Sequence, residues 1–227
     1  MRDPNSGLDD PALKETSEDS YRWVVQSIQD GQTFQLSRWN DGELFCVVGR
    51  GGANCDGHEY FESLQLALVD ILAKPQRYEM GLGALGIGIA RELKIIDRFR
   101  WRNASAFCWG LRHDKLESFL AALEGRAVTL VGTDHLKKVA DHCGWKVVDV
   151  PARNAWNRIQ LFDRQTFDLA EERSIVVLAC GPGSCVVVER LFEWRPDLTV
   201  IDIGSCLDPF GGVVSRSYQH GLEWLEK

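Results

Sequence analysis

The fold of this chain is constrained most by one apolar segment, residues 175–179, with the sequence Ile-Val-Val-Leu-Ala. A continuous, β-branched run of this length is typical of a central strand in a parallel sheet, which is buried on both of its faces. Further short apolar segments alternate with helical patterns around it, at 127–131, 146–150 and 198–203. This β-α-β-α order predicts an α/β fold, a Rossmann-like, mostly parallel sheet flanked by helices.

The length and composition of the chain predict how it is organised. Its 227 residues, 44% of them hydrophobic and eight of them Trp, suffice for one large domain with a substantial core. No internal repeat or sharp boundary interrupts it, so we predict a single α/β domain over residues 19–227. Residues 1–18 are polar and acidic, and we expect a loose N-terminal tail there. The Trp residues are also compatible with an exposed aromatic interface, and hence with an oligomer.

Local patterns lead to three specific expectations. Residues 105–109 are apolar and predict a short strand, whereas 159–169 predict a helix. The segment 81–86 matches the Gly-x-Gly-x-x-Gly pattern of dinucleotide-binding loops, but residues 76–80 before it are a poor buried strand. We therefore expect a packed, glycine-rich bend that leads into a helix at 87–96.

The net charge and the cysteines limit the classes of function. A formal net charge of −7 disfavours non-specific binding to nucleic acid or to an anionic membrane surface. The seven Cys residues are scattered without a Cys-x-x-Cys pair, which predicts reduced, buried thiols and a cytoplasmic location. The chain shows no basic-then-apolar leader and no apolar run of membrane-spanning length, so we expect a soluble protein without membrane insertion.

Charged residues surround a glycine after another predicted strand, in the stretch 37–43 (Ser-Arg-Trp-Asn-Asp-Gly-Glu). In an extended segment the carboxylates of Asp41 and Glu43 point the same way, and such an oxygen pair suits Mg²⁺ or Mn²⁺. Gly42 lets a ligand approach the backbone, and the guanidinium of Arg38 suits a phosphate. The stretch therefore suggests a metal site for a nucleoside diphosphate, but Asn-Asp-Gly is also typical of a solvated hairpin turn.

Three more polar segments follow predicted strands, which is where ligands of doubly wound sheets bind. A glycine-rich segment precedes a helix, whose first N–H groups suit phosphate or ribose oxygens. An asparagine after the 146–150 strand either caps the next helix or hydrogen-bonds a base or sugar. An acidic segment follows the last strand. The residues concerned are Gly181, Pro182, Gly183, Ser184, Asn154, Asp202, Ser205 and Asp208.

The histidines show no spacing that is typical of a metal site. A zinc site needs three or four protein ligands, and no such group is recognisable along the chain. We therefore expect all five to be structural or exposed. They are His58, His113, His135, His142 and His220.

Four segments resemble, in the same order, motifs of the GT-D fold glycosyltransferases. Segment 37–43 resembles the signature Arg-x-Gly-Asp-Gly-Glu, and 151–156 (Pro-Ala-Arg-Asn-Ala-Trp) resembles Pro-x-x-Asn-Ala-Phe. Segment 178–184 (Leu-Ala-Cys-Gly-Pro-Gly-Ser) resembles Leu-x-x-Gly-Pro-Thr-Ala, and 201–205 (Ile-Asp-Ile-Gly-Ser) resembles Asp-Ile-Gly-His. The matches span most of the chain.

The resemblance implies a Rossmann-like sheet, a nucleotide-sugar donor such as UDP-glucose, and Mn²⁺ or Mg²⁺ beside the acidic pair. Carried over, Asp41 and Glu43 bind the metal and diphosphate, and Arg38 contacts the donor phosphates. The same comparison puts Gly181 and Ser184 in the nucleotide loop and Asp202, at the fourth motif, facing the sugar.

Three positions depart from the family pattern. Asn40 stands where the signature has its first Gly, Ser184 lies at or beside the Thr-Ala step of the third motif, and Ser205 stands where the last motif has His. Without that His, the resemblance does not carry an acid–base role over to Ser205.

These patterns together predict a metal-dependent glycosyltransferase that moves a sugar from a UDP-hexose to a hydroxyl acceptor. Asp202 or Asp208 would take the proton of the acceptor hydroxyl. Two other classes stay open: a nucleotide-binding transferase or hydrolase without sugar transfer, and a non-catalytic nucleotide-sugar binding module. The sequence does not identify the acceptor, which could be a glycan, a cell-wall polymer, a small molecule or a modified nucleobase.

Overall fold

The chain folds around one parallel sheet, as the strand-helix alternation predicts. The structure is a computed structural model and describes residues 9–55, 57–167, 173–216 and 219. In these residues a seven-stranded sheet has the order β3-β2-β1-β7-β6-β4-β5, and every strand pair is parallel. The strands are β1 Gln35–Trp39, β2 Glu79–Leu82, β3 Trp101–Asn103, β4 Val128–Gly132, β5 Lys146–Asp149, β6 Ile175–Ala179 and β7 Thr199–Asp202.

Helices cover both faces of the sheet and produce two separate apolar layers. One layer contains residues of α2, α3, α4, α8 and α9, and the other contains residues of α1, α5, α6 and α7. The helix bounds are α1 Ser17–Gln29, α2 Asp41–Val47, α3 Glu62–Ala73, α4 Ile87–Glu92, α5 Ala106–Arg112, α6 Leu116–Leu123, α7 Lys137–Cys143, α8 Trp156–Ile159 and α9 Ser184–Trp194.

Strand β6 is the central strand that its apolar run predicts. Val176 and Leu178 belong to one apolar layer, whereas Ile175 and Val177 belong to the other. The alternation follows from the two-residue period of a strand, and all four side chains are buried. Strands β4 and β7 pair with β6 on its two sides, so its backbone hydrogen bonds are satisfied within the sheet.

The strand expected at 105–109 is wrong, because these residues begin helix α5 and the strand lies earlier, at Trp101–Asn103. Strand β3 was not recognised in the sequence because a buried arginine, Arg102, is its middle residue. Arg102 ion-pairs with Glu79 and Glu15 at 2.8 Å, so its charge is matched where the sequence pattern suggests a polar, exposed position. The helix expected at 159–169 is also wrong within the described residues. Helix α8 ends at Ile159, and a short 3₁₀ turn follows over residues 164–167.

The glycine-rich segment at 81–86 is a packed bend, as expected, but it follows a real strand, β2. A 3₁₀ turn at 84–86 then leads into α4, which is shorter than the predicted 87–96 helix. A Cβ atom at Gly83 would overlap the side-chain amide of Asn40. The glycine is therefore explained by the close approach of the β1–α2 connection.

Residues 1–8 of the expected N-terminal tail lie outside the described residues, whereas 9–16 pack against the sheet. The side chain of Leu13 is buried. The carboxylate of Asp9 accepts hydrogen bonds from the Ser17 N–H at 2.6 Å and from Nδ2 of Asn103 at 3.0 Å. Thr16 caps α1 with its side chain.

Two findings concern the cysteines and the membrane. All seven cysteines are free thiols, and four of them are buried. No helix in the described ranges is both long and apolar enough to cross a bilayer.

Candidate active site

A cavity of about 470 Å³ opens beyond the carboxyl ends of the central strands β1, β7, β6 and β4. Each of these strands delivers at least one lining residue: Arg38 from β1, Asp202 from β7, Ala179 from β6 and Thr133 after β4. The carboxyl edge is where parallel α/β sheets bind ligands, because the loops there open away from the core. This cavity is therefore the candidate active site.

A second cavity, of about 780 Å³, is larger but is placed differently. It lies among helices α1, α5 and α6, and Tyr21, Trp23 and Trp109 are among its lining residues. None of its lining residues follows the carboxyl end of a strand. Because ligands of parallel α/β sheets bind at the carboxyl ends of the strands, we assign the chemistry to the smaller, strand-end cavity.

Asp202 ends β7 and lines the strand-end cavity with only 4% of its surface exposed. Its Oδ1 accepts a hydrogen bond from the Gly204 N–H at 3.0 Å. Burial raises the pKa of Asp202 to about 7, although the positive charge of Arg38 acts in the opposite direction. The carboxyl group therefore changes its protonation near neutral pH, which suits a group that exchanges protons.

Arg38 reaches the cavity from β1 and is held by the loops that follow β3 and β7. Its Nε donates to the carbonyl oxygen of Ala104 at 2.9 Å. Gly204 has a φ of +58°, and a Cβ atom there would overlap Nη1 of Arg38. Glycine fits this position for two reasons: it adopts the left-handed backbone conformation without strain, and it leaves room for the guanidinium of Arg38.

The stretch after β1 is a helix start, so the prediction of an extended segment or hairpin turn at Asp41 and Glu43 is wrong. Both residues lie in the first turn of α2. Positions two apart on an α-helix are about 200° apart around its axis, so the two side chains leave the helix in different directions. Both nevertheless line the cavity, together with Gly42.

Glu43 has a structural task at the start of α2. Its Oε2 accepts the N–H of Asn40 at 2.9 Å, which is the return bond of a capping box. Burial raises the pKa of Glu43, while the backbone hydrogen bond from Asn40 and the charge of Arg38 oppose the shift. Asp41, half-buried at the same helix start, also lines the cavity.

Of the glycine-rich loop after β6, residues 181–184, only Gly181 lines the cavity. Gly181 lines the cavity, and a Cβ atom there would lie 2.9 Å from Nε2 of His58. Pro182, Gly183 and Ser184 are buried and do not belong to the cavity lining. The hydroxyl of Ser184 instead lies 3.1 Å from Sγ of Cys180, beneath the loop.

Asn154 neither caps α8 nor lines the cavity, so the expected cap is wrong. Its Oδ1 accepts the N–H of Glu59 at 2.8 Å, and its Nδ2 donates to Oε1 of the same residue at 3.2 Å. These bonds connect the loop before α8 to the loop before α3. His58, next to Glu59, and Arg153, next to Asn154, both line the cavity. Asn154 is thus placed to support two wall residues.

A hydrogen-bonded group of four residues, of which the sequence indicated only Asp208, lies on the β4 and β7 side of the cavity. Nε2 of His135 lies 3.0 Å from Oδ1 of Asp208, and Nδ1 of His135 lies 2.8 Å from the hydroxyl of Thr133. The other carboxylate oxygen of Asp208 accepts the hydroxyl of Ser215. All four residues line the cavity, as does Ser205.

His135 and His58 both line the cavity, a position that the expectation of structural or exposed histidines did not include. His135 follows the carboxyl end of β4 by three residues, and that position was the available signal. No local pattern indicated His58, because it lies in a loop that is distant in sequence from the end of any strand. His58 is 7% exposed, and its Nδ1 accepts the N–H of Ala155 at 3.3 Å.

The charges around the cavity are mixed. The lining combines three arginines with four carboxylates: Arg38, Arg153, Arg216, Asp41, Glu43, Asp202 and Asp208. Within the described residues no three His, Cys, Asp or Glu side chains form a ready-made metal cage. Mg²⁺ is usually held by one or two carboxylates plus substrate phosphates, so this donor set fits a cation that arrives with a diphosphate.

Comparison with known proteins gives matches in fold. No protein-family model and no curated protein matches the chain. A solved structure described as a new glycosyltransferase (DUF1792) from Streptococcus sanguinis has a TM-score of 0.65 at 16% identity, covering 90% of this chain and 87% of that one. A second, a conserved domain of unknown function 1792 described as having a distinct glycosyltransferase fold, has a TM-score of 0.62 at 16% identity, covering 88% and 83%.

This chain has the DUF1792 glycosyltransferase fold. The fold predicted from the resemblance to GT-D glycosyltransferases is therefore confirmed, including the parallel sheet and the helices on both faces. The DUF1792 fold spans nearly the whole chain, because about nine tenths of the residues are covered by the matches. Within this fold the strand-end cavity gathers residues from all four motif segments.

Proposed function

We propose that this protein is a metal-dependent glycosyltransferase that transfers a hexose from a UDP-sugar to a hydroxyl acceptor. One observation carries the proposal. Segments 37–43, 151–156, 178–184 and 201–205, which resemble glycosyltransferase motifs, each contribute a lining residue to one cavity at the carboxyl edge of a DUF1792-type sheet.

The donor diphosphate would bind beside Arg38 and Gly181. The guanidinium of Arg38 offers a planar set of donors to phosphate oxygens, and its position is maintained by Ala104 and Gly204. Gly181 lets the diphosphate approach the backbone after β6. Arg153 and Arg216 line the same cavity, and their charge favours an anionic ligand.

Asp41 and Glu43 would hold Mn²⁺ or Mg²⁺ together with the phosphates of the donor. When bound, the cation neutralises charge that develops on the leaving diphosphate. Glu43 already accepts the Asn40 N–H through one oxygen, which leaves its second oxygen for a cation. We expect the cation to bind weakly without nucleotide, because the described residues provide no complete ligand set.

A carboxylate of the cavity, Asp202 or Asp208, would take the proton of the acceptor hydroxyl. Asp202, with a pKa of about 7, is partly ionised at neutral pH. The acceptor itself is proposed only as a hydroxyl compound. The seven free thiols favour a reducing compartment, so we propose that the protein works in the cytoplasm.

The test is UDP release from UDP-glucose with and without Mn²⁺, for the natural protein and for Asp41→Ala and Glu43→Ala. We expect Mn²⁺-dependent release that falls by about 100-fold or more in Asp41→Ala. Asp141→Ala is the matched control, because Asp141 is an exposed carboxylate on α7 outside the cavity. Unchanged turnover in both cavity variants would refute the metal site.

A thermal-shift panel separates sugar transfer from plain nucleotide chemistry. Stabilisation by UDP-sugars with Mn²⁺, but not by other nucleotides, is the expected result. Equal stabilisation by unrelated nucleotides would favour a nucleotide-binding transferase or hydrolase. Binding of UDP-glucose without turnover over long incubation would favour a non-catalytic module.

A further inference from the structure

We propose that Thr133, His135 and Asp208 form a proton relay that removes the proton from the acceptor hydroxyl, with Thr133 as the group that contacts the acceptor. The proposal rests on the proposed function and changes one part of it: His135, oriented by Asp208, takes the proton in place of a carboxylate. His135 reaches the cavity from the turn that follows β4.

The geometry of the three residues forms a continuous chain of hydrogen bonds. The Thr133 hydroxyl lies 2.8 Å from Nδ1 of His135, and Nε2 of His135 lies 3.0 Å from Oδ1 of Asp208. Ser215 donates its hydroxyl to the remaining carboxylate oxygen, so both oxygens of Asp208 are oriented. Asp208 is 7% and Thr133 8% exposed, whereas the side chain of His135 between them is 23% exposed.

The partners determine which nitrogen of His135 carries the proton in the neutral ring. An ionised Asp208 only accepts hydrogen bonds, so Nε2 of His135 is the N–H donor. Nδ1 is then an acceptor, and the Thr133 hydroxyl donates to it. The oxygen of Thr133 retains lone pairs that can accept a further hydrogen bond from a bound hydroxyl.

The Thr133 hydroxyl has no competing task in the local backbone. Thr133 occupies the N-cap position of the 3₁₀ turn at 134–136, yet its side chain makes no capping hydrogen bond there. Its hydroxyl is therefore committed to His135, and removing it does not remove a cap. Other charged groups lie nearby: Asp202 and Arg216 on the cavity wall, and Asp134 with Lys137 paired outside it.

In the proposed step the acceptor O–H proton moves to the oxygen of Thr133, while the proton of Thr133 moves to Nδ1 of His135. The acceptor oxygen forms the bond to the anomeric carbon, and the bond from that carbon to the diphosphate breaks, its electron pair leaving with UDP. His135 becomes an imidazolium ion that is stabilised by Asp208, and it later loses its proton to solvent.

The experiment compares Thr133→Val with Thr133→Ser in the full chain. The assay is hydrolysis of UDP-glucose, with water as the acceptor probe, and UDP binding is measured in parallel. We expect Thr133→Val to lower kcat by about 100-fold with unchanged UDP affinity, and Thr133→Ser to retain more of the turnover because it keeps the hydroxyl. His142→Ala, an exposed histidine on α7, is the control and should behave as the natural protein.

A second measurement tests His135 itself. His135→Ala should lose turnover and regain part of it with added imidazole, whereas Asp208→Asn should not respond to imidazole. Equal turnover of Thr133→Val and the natural protein would overturn the relay while leaving the proposed function standing. Equal loss in Thr133→Ser and Thr133→Val would also overturn it, because packing would then explain the effect. No turnover of any UDP-sugar by the natural protein would refute the proposed function, and the relay with it.

Discussion

Replacing Asp202 with Asn removes a buried ionisable group from the cavity wall and changes little of its shape. Burial raises the pKa of Asp202 from 3.8 to about 7 in the folded protein. Between these two pH values the native state holds a proton that the unfolded state has released, so the stability falls as the pH rises. The contribution is fully present below pH 3.8, is lost by about pH 7, and amounts to about 4 kcal/mol.

The assay is urea unfolding of both proteins at several pH values between about 5 and about 8, without metal or nucleotide. The amide of Asn can still accept the Gly204 N–H, so we expect the variant to keep the local loop. Glu43, whose pKa is also raised by burial, titrates in both proteins and raises the pKa of Asp202 through its charge. The difference between the two curves therefore reports the titration of Asp202 together with its coupling to Glu43.

We expect Asp202→Asn to become progressively more stable than the natural protein as the pH rises through this range. The reason is that the natural protein must increasingly bury a charged carboxylate, whereas the variant does not. Asp141→Asn, an exposed position, should show no such trend. A difference that stays constant with pH would refute the reasoning, since it would mean that Asp202 titrates alike in the folded and unfolded chain.

Two further predictions concern residues that shape the cavity. Gly204→Ala should weaken UDP binding and destabilise the protein by more than Gly144→Ala, because both glycines have positive φ but only a Cβ at Gly204 would displace Arg38. Urea unfolding measures the stability and UDP titration the affinity, and equal effects of the two substitutions would contradict the contact between Gly204 and Arg38. Asn154→Ala should cost about 2 kcal/mol in the free energy of unfolding, because it removes the hydrogen bonds to Glu59 and leaves Ala at a φ of +55°. It should reduce UDP affinity less than Arg38→Ala does, and an equal loss of affinity would place Asn154 in the binding site.

Much of the fold follows from local sequence. The apolar run of β6, the segments of β4, β5 and β7, and the helices between them carry the periodicity that predicts a parallel α/β sheet. The first half was harder to predict, because β3 contains Arg102, whose charge is matched by Glu15 and Glu79 from distant segments. No local pattern shows such an ion pair.

The candidate site was predicted in part. Arg38, Asp41, Glu43, Gly181, Asp202, Ser205 and Asp208 line the cavity, and polar residues after strands were the signal for them. Pro182, Gly183, Ser184 and Asn154 were predicted by the same reasoning but do not line it. A motif identifies a loop, whereas the packing of that loop decides which of its residues face the ligand.

The sequence by itself determined the alternation of strands and helices, and hence the edge of the sheet at which a ligand would bind. These features depend on periodicities of two and 3.6 residues, which neighbouring positions are sufficient to specify. Only the tertiary structure decided that α2 begins at Asp41, that burial shifts the pKa of Asp202, and that His135 meets Asp208. Burial and contacts between groups 73 residues apart depend on how the elements pack, and no local pattern records them.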